Sequence, residues 1–86
     1  MAEEQLVGVV EKYFAQPGVA ALKVTQGTIK KGDMLKYVGH TTNFTDQVAS
    51  MQVNNQPVDE AKAGDFIGVK VKERVRENDK VYKVVQ

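Results

Sequence analysis

The sequence predicts an all-β protein, specifically a small six-stranded antiparallel closed β-barrel. A turn phrase of the form Gly/Asn-Asp occurs three times, at Gly32-Asp33, Gly64-Asp65 and Asn78-Asp79, and each phrase opens a run rich in β-branched or aromatic residues. Such runs after tight turns are typical of antiparallel strands. No segment of ten or more residues shows the 3.6-residue period of a helix. Closure into a barrel would also remove exposed strand edges.

Six strands are predicted in order. The first covers residues 6–14, where Val7, Val9 and Tyr13 share one face and Leu6, Val10 and Phe14 share the other; Gly8 indicates a bend. After a turn at 16–18, the others are predicted at 19–25, 34–38, 44–53, 66–74 and 80–85. The apolar spacing changes within 44–53, which predicts a β-bulge near residues 49–50. Residues 54–62 contain Pro57 and are predicted to form a connection.

The predicted core takes one or two apolar residues from each strand. Its members are Val9, Leu22, Leu35, Val48, Ile67, Val69 and Val81.

Composition indicates one folded domain over residues 1–86. The chain is 42% hydrophobic and 27% charged, with no cysteine and one histidine. A disulfide framework and a thiolate metal site are therefore excluded, and no metal or cofactor is expected. The acidic N-terminus and the lack of an apolar run of roughly 20 residues predict a cytoplasmic protein that neither spans nor anchors in a membrane.

Positive charge is concentrated in the last fifth of the chain. Residues 1–69 carry a net charge of −2 and residues 70–86 a net charge of +3. Lys70, Lys72, Arg74 and Arg76 follow at every second position, so a straight strand would place them in one outward row. This row is interpreted either as a solvated barrel face or as a contact for an RNA phosphate backbone.

Phe66 is predicted to point outward beside this row. There it could stack on a base or fill a pocket of a protein partner. The interpretation favoured from the sequence is that the 54–62 connection covers it.

Three segments together resemble a known family. They are Thr28-Ile29-Lys30-Lys31-Gly32-Asp33, Val48-Ala49-Ser50-Met51 and Ala61-Lys62-Ala63-Gly64-Asp65-Phe66-Ile67-Gly68. Their order and spacing resemble the second, β-barrel domain of translational GTPases of the elongation factor Tu type, and in particular the small stand-alone elongation-factor-like proteins. The likeness covers residues 6–85.

The resemblance implies a translation-related module without a GTPase domain. The family positions that contact the aminoacyl end of tRNA correspond here to Glu11, Phe14 and Gln52, with Lys12 in place of a second acid. The resemblance therefore implies a non-catalytic domain that binds RNA, as tRNA or ribosome. The alternative is a protein-docking module that associates with a larger enzyme or translation-related complex.

Enzymatic chemistry is not expected from the remaining motifs. Residues 27–32 combine glycine and lysine, but no Gly-Lys-Ser/Thr follows and a strand comes next, so GTP binding is not predicted. Ser50 lies in no nucleophile context. His40 lies in a polar loop and is interpreted as a surface or capping residue.

Overall fold

The structure, a computed structural model, describes residues 3–16 and 18–85. In this part of the chain all regular elements are strands, as follows: β1 Glu3–Phe14, β2 Val19–Val24, β3 Thr28–Lys30, β4 Met34–Val38, β5 Asn43–Gln47, β6 Met51–Val53, β7 Gln56–Val58, β8 Glu60–Lys62, β9 Phe66–Lys70 and β10 Lys80–Val85. The all-β prediction is confirmed. Pro17 of the predicted 16–18 turn lies outside the described residues.

Eight of the strands form one antiparallel sheet in the order β5-β4-β10-β1-β2-β9-β6-β7, while β3 pairs with β8. The inner face of the sheet wraps around a single buried cluster, to which the β3–β8 pair adds Ile29 and Ala61. In the described residues no ladder joins the edge strands β5 and β7, so the barrel is closed by packing of its core instead of by a continuous ladder.

Most of the predicted core is confirmed. Six of the seven predicted core residues are each at most 2% exposed: Leu22, Leu35, Val48, Ile67, Val69 and Val81. Val9 is the exception, because it is only partly buried while Val7 and Val10 are buried.

The first of two bulges in β1 explains this exception. The pairing of β1 with β10 shifts between Leu6 and Gly8, and its pairing with β2 shifts between Val10 and Lys12. Each shift adds one residue to β1 and moves the following side chains to the opposite face. The predicted alternation along residues 6–14 was therefore wrong, and Val10 and Phe14 lie on different faces.

Residues 54–62 are not the plain connection that was predicted. They form β7 and β8, and β6 and β7 are joined by a two-residue turn in which Asn54 and Asn55 have φ of 53° and 65°. Positive φ at both central positions is the geometry of a type I′ hairpin, which asparagine tolerates. Pro57 is accepted because β7 is an edge strand.

The predicted 44–53 strand is also divided. β5 ends at Gln47 and β6 begins at Met51, with three residues outside any strand between them. The sequence predicted a one-residue bulge near residues 49–50. The structure has a longer interruption there, at which the chain passes from the edge strand β5 to β6, between β9 and β7.

All three Gly/Asn-Asp phrases form the same turn. The carboxylate oxygens of Asp33, Asp65 and Asp79 accept hydrogen bonds from the backbone N–H three residues earlier, at 2.8, 3.0 and 2.9 Å. The residue before each aspartate has positive φ, at Gly32, Gly64 and Asn78. Asp79 differs from the other two because it is only 6% exposed.

Asp79→Ala is expected to lower the free energy of unfolding by about 2 to 3 kcal/mol, because the Arg76 N–H loses a charged acceptor in a partly buried site. Asp65→Ala removes the same bond in an exposed turn and should cost about 1 kcal/mol or less. Urea unfolding of both variants measures the difference. Equal losses would contradict the importance assigned to burial of Asp79.

Tyr37 is buried and stacks on Phe44 with ring centroids 4.9 Å apart. Burial raises the pKa of the Tyr37 phenol, and the negative charge of Asp46 adds to this shift. Because the unfolded tyrosine loses its proton near pH 10, Tyr37 contributes no pH dependence below that value and favours unfolding above it.

The free energy of unfolding should therefore fall more steeply above about pH 10 in the wild type than in Tyr37→Phe, which has no phenol to ionise. Urea unfolding of both proteins between pH 8 and 11 tests this. Parallel pH profiles would contradict it.

Candidate functional site

A shallow groove of about 480 Å³ crosses the outer face of the β1-β2-β9-β6 part of the sheet. It is lined by Phe14, Gln16, Val19, Ala21, Gln52, Asn54, Asn55, Phe66, Ile67 and Gly68. None of these side chains is charged. We call this feature the groove.

Small residues make the floor of the groove. Ala21 on β2 pairs with Lys12 on one side and Gly68 on the other, and Gly68 pairs in turn with Gln52. Paired residues of adjacent strands project to the same face. One row across four strands is therefore formed by Lys12, Ala21, Gly68 and Gln52. It spans roughly 14 Å at the usual strand spacing, and its two central side chains are the smallest.

Two phenylalanines flank this floor. Phe14 is 46% exposed and Phe66 is 60% exposed, although both are large apolar side chains. Phe14 pairs with Val19 and Phe66 pairs with Lys23, so the two rings lie in the rows on either side of the floor. Exposed aromatic groups around a concave surface are characteristic of interaction sites.

The bulge at Glu11 places Phe14 in this position. Because Glu11 is the additional residue, Val10 and Tyr13 both pack toward the core while Lys12 and Phe14 face outward. A regular strand would have put Phe14 on the same side as Val10. The local irregularity of β1 thus creates one wall of the groove.

Lysines lie at the edges of the groove. The Lys12 ammonium is 5.9 Å from the centroid of the Phe14 ring, and the Lys23 ammonium is 5.6 Å from that of Phe66. Both are within cation–π range. The walls of the groove therefore combine an aromatic face with a nearby positive charge.

The prediction that the 54–62 connection covers Phe66 was wrong. Of that segment, Asn54 and Asn55 in the β6–β7 turn line the groove. Phe66 points outward, as predicted, and its ring remains largely open to solvent.

The predicted row of four cations does not form. β9 ends at Lys70, so Lys72, Arg74 and Arg76 follow outside any strand and do not continue its alternation. Lys70 and Lys72 lie beside Asp46 and Gln47, and the Lys72 N–H donates to the Asp46 carboxylate at 2.9 Å. This bond and the burial of Val71 and Val75 fold the segment onto the barrel.

Arg74 and Arg76 belong to a second concavity of about 450 Å³. Its lining residues are Lys12, Tyr13, Arg74, Val75, Arg76 and Glu77, and we call it the cationic pocket. The structure thus divides the four predicted RNA-contacting cations into two pairs. A role for Lys70, Lys72, Arg74, Arg76 and Phe66 in nucleic-acid binding stays a prediction.

Of the three positions implied by the tRNA-carrier resemblance, two lie in the groove. Phe14 and Gln52 line it from different strands, whereas Glu11 is the exposed bulge residue and is not among the lining residues. Sequence reasoning missed the floor residues Ala21 and Gly68, since their importance comes only from pairing between β2 and β9.

His40 lies exposed in the loop between β4 and β5. In residues 3–16 and 18–85 no group of three or more acidic or histidine side chains is arranged to hold a metal ion. The same residues contain no helix long and apolar enough to cross a membrane.

The fold is that of a small antiparallel β-barrel domain. The family model for elongation factor Tu domain 2 matches residues 18–78, and the chain belongs to this family. The sequence-based resemblance is thereby confirmed at the level of the domain.

The relatives are larger proteins. The chain is 36% identical over 77 residues to an uncharacterized protease of Methanocaldococcus jannaschii, covering 88% of this chain and 19% of that protein. It is 35% identical over 82 residues to a collagenase of Porphyromonas gingivalis, covering 94% and 23%. The chain thus spans about a fifth of the length of these relatives, which are not stand-alone elongation-factor-like proteins.

A solved structure has the same fold. It is the C-terminal domain of a protein assigned to the U32 peptidases from Geobacillus thermoleovorans, with a TM-score of 0.85, 21% sequence identity, and coverage of 92% of this chain and 91% of that one. The barrel therefore occurs as a domain of a larger protein.

Phe14→Ala and Phe66→Ala should each change the free energy of unfolding by less than about 1 kcal/mol, because both rings are largely exposed. Phe44→Ala removes a ring that is 9% exposed and stacked on Tyr37, and should cost about 3 to 5 kcal/mol. Chemical denaturation of the three variants provides the comparison. A large loss in Phe66→Ala would show that its ring stabilises the fold instead of serving a site.

Proposed function

We propose that this chain is a non-catalytic protein-docking domain that associates with a larger protein, and that the groove is its contact surface. The observation that carries this proposal is the pair of exposed phenylalanines flanking a floor of small residues. Exposed aromatic anchors beside a concave apolar surface are what protein interfaces use. Related segments occur within much larger proteins, which also supports a docking function.

The lining of the groove fits binding better than catalysis. Its polar side chains are Gln16, Gln52, Asn54 and Asn55, whose amides donate and accept hydrogen bonds but do not exchange protons near neutral pH. Among the described residues that line the groove, none is a nucleophile or a general acid–base group. We therefore assign no reaction to the domain itself.

The partner that we propose is an enzyme body of the kind named in the relatives, a protease or collagenase. The domain would pack against the catalytic part of that enzyme and position either the catalytic part or its substrate. We propose that this occurs in the cytoplasm, a reducing compartment with which a chain without cysteine is compatible.

RNA or ribosome binding is the second candidate function. It is favoured by the family of the domain and by the lysines close to the Phe14 and Phe66 rings, since aromatic rings beside cations also stack bases. The division of the predicted cation row weakens it, because a nucleic acid strand needs successive positive charges along its path.

Photo-crosslinking in the source cells distinguishes these functions. Benzoylphenylalanine replaces Phe66 in one version of the full chain and the exposed Ala49 in another. We expect one discrete protein adduct from position 66 that is absent from position 49. An RNA adduct from position 66 would favour the second candidate, and identical adducts from both positions would refute a specific site in the groove.

The crosslinked protein is then purified and its affinity for the chain is measured by calorimetry. Gly68→Leu, which fills the floor of the groove without requiring a positive φ, should weaken the complex at least tenfold. Ala49→Leu adds a larger side chain outside the groove and should leave the affinity within about twofold. Equal effects of both substitutions would contradict docking through the groove.

A further inference from the structure

We propose that the segment docked in the groove is acidic: an extended peptide whose aromatic or aliphatic side chain lies on the Ala21–Gly68 floor and whose carboxylates enter the cationic pocket. This inference rests on the proposed function and specifies the chemistry of the partner. It depends on the continuity of the two concavities and on the distribution of charge between them.

Lys12 connects the two concavities. It lines the cationic pocket, and its ammonium is 5.9 Å from the Phe14 ring that lines the groove. Its backbone pairs with Ala21 of the groove floor. A ligand that follows the floor row toward β1 therefore meets Lys12 first and the arginines next.

The cations of the pocket have few protein partners. Lys12, Arg74 and Arg76 face a single acid, Glu77, in the lining of the pocket. In residues 3–16 and 18–85 the salt bridges are Lys36–Glu4 and Lys83–Asp33, and neither includes these three residues. Two guanidinium groups and an ammonium around one concavity suit carboxylates, which arginine binds with two parallel hydrogen bonds.

The backbone that carries the arginines is held in place before any ligand binds. Val75 between them is 1% exposed and anchors the segment in the core. The Arg76 N–H donates to the buried Asp79 carboxylate at 2.9 Å, and the Asp79 carbonyl accepts from the Val10 N–H of β1 at 2.8 Å. A preordered loop loses less conformational entropy on binding.

The opposite end of the floor row is uncharged. There Gln52, Asn54 and Asn55 offer amides suited to the backbone of an extended peptide. The site thus has an amide end, an apolar centre and a cationic end. A peptide with one apolar anchor followed by acidic residues matches this order, whereas a nucleic acid would place a phosphate every 6 to 7 Å or so through the uncharged centre.

The test is an NMR titration of the ¹⁵N-labelled full chain with the synthetic peptide acetyl-Phe-Gly-Asp-Asp-Asp-amide. We expect shifts at residues of the groove and of 74–76, and binding at least tenfold tighter than that of acetyl-Phe-Gly-Asn-Asn-Asn-amide. Hexauridylate is titrated in parallel. Equal affinity for the two peptides, no binding of the acidic one, or tighter binding of hexauridylate at the same residues would overturn the proposal.

Charge reversal supplies the matched variants. Arg74→Glu with Arg76→Glu should weaken binding of the acidic peptide at least tenfold. Lys30→Glu with Lys31→Glu, the same charge change at the exposed end of β3 and in the turn that follows it, should leave binding within about twofold. Equal losses would overturn the assigned site. A crosslinked partner that still binds Arg74→Glu with Arg76→Glu at full affinity would refute the acidic segment and leave docking through the groove intact.

Discussion

The barrel depends on one local interaction repeated three times, in which an aspartate carboxylate accepts a hydrogen bond from the backbone N–H three residues before it. Each turn delivers the chain into the next long strand, β4, β9 or β10. The first two turns are also coupled, because β3 and β8, which lead into them, pair with each other. The repeated phrase thus directs folding. The presence of its lysines and glycines is explained by the turn and does not require a bound ligand.

The third turn shows how the same signal is adapted to a buried position. Asn78 stands where the other turns have glycine, and it adopts φ of 71°, which asparagine tolerates better than most residues. The Asp79 carboxylate lies against the β4–β5 loop so closely that a Cβ atom on Gly39 would overlap it. Gly39 is therefore required by a contact that is distant in sequence, and no local pattern around residue 39 could have predicted it.

Features encoded within a few residues could be predicted from the sequence, and features that depend on register could not. Alternation identified β2, β4 and β10 to within one residue because each is regular over five or six residues. It also located the start of β9, but the predicted continuation to residue 74 was wrong because the strand ends at Lys70. The bulges of β1 depend on which residues of β10 and β2 lie opposite, so Val9 and Val10 were assigned to the wrong faces. The cation row failed for a related reason, since Val71 and Val75 are both buried and hold residues 71–79 against the barrel.

The two faces of β2 show why the groove is better explained by binding than by folding. On the inner face Ala20, Leu22 and Val24 are at most 1% exposed and supply the apolar burial that stabilises the barrel. On the outer face Ala21 lies opposite Gly68, although alanine and glycine are poor strand formers. Larger β-branched residues would strengthen this ladder and cover more of the sheet. Small residues between two exposed phenylalanines therefore make a shape that the fold does not require and that an incoming side chain can fill.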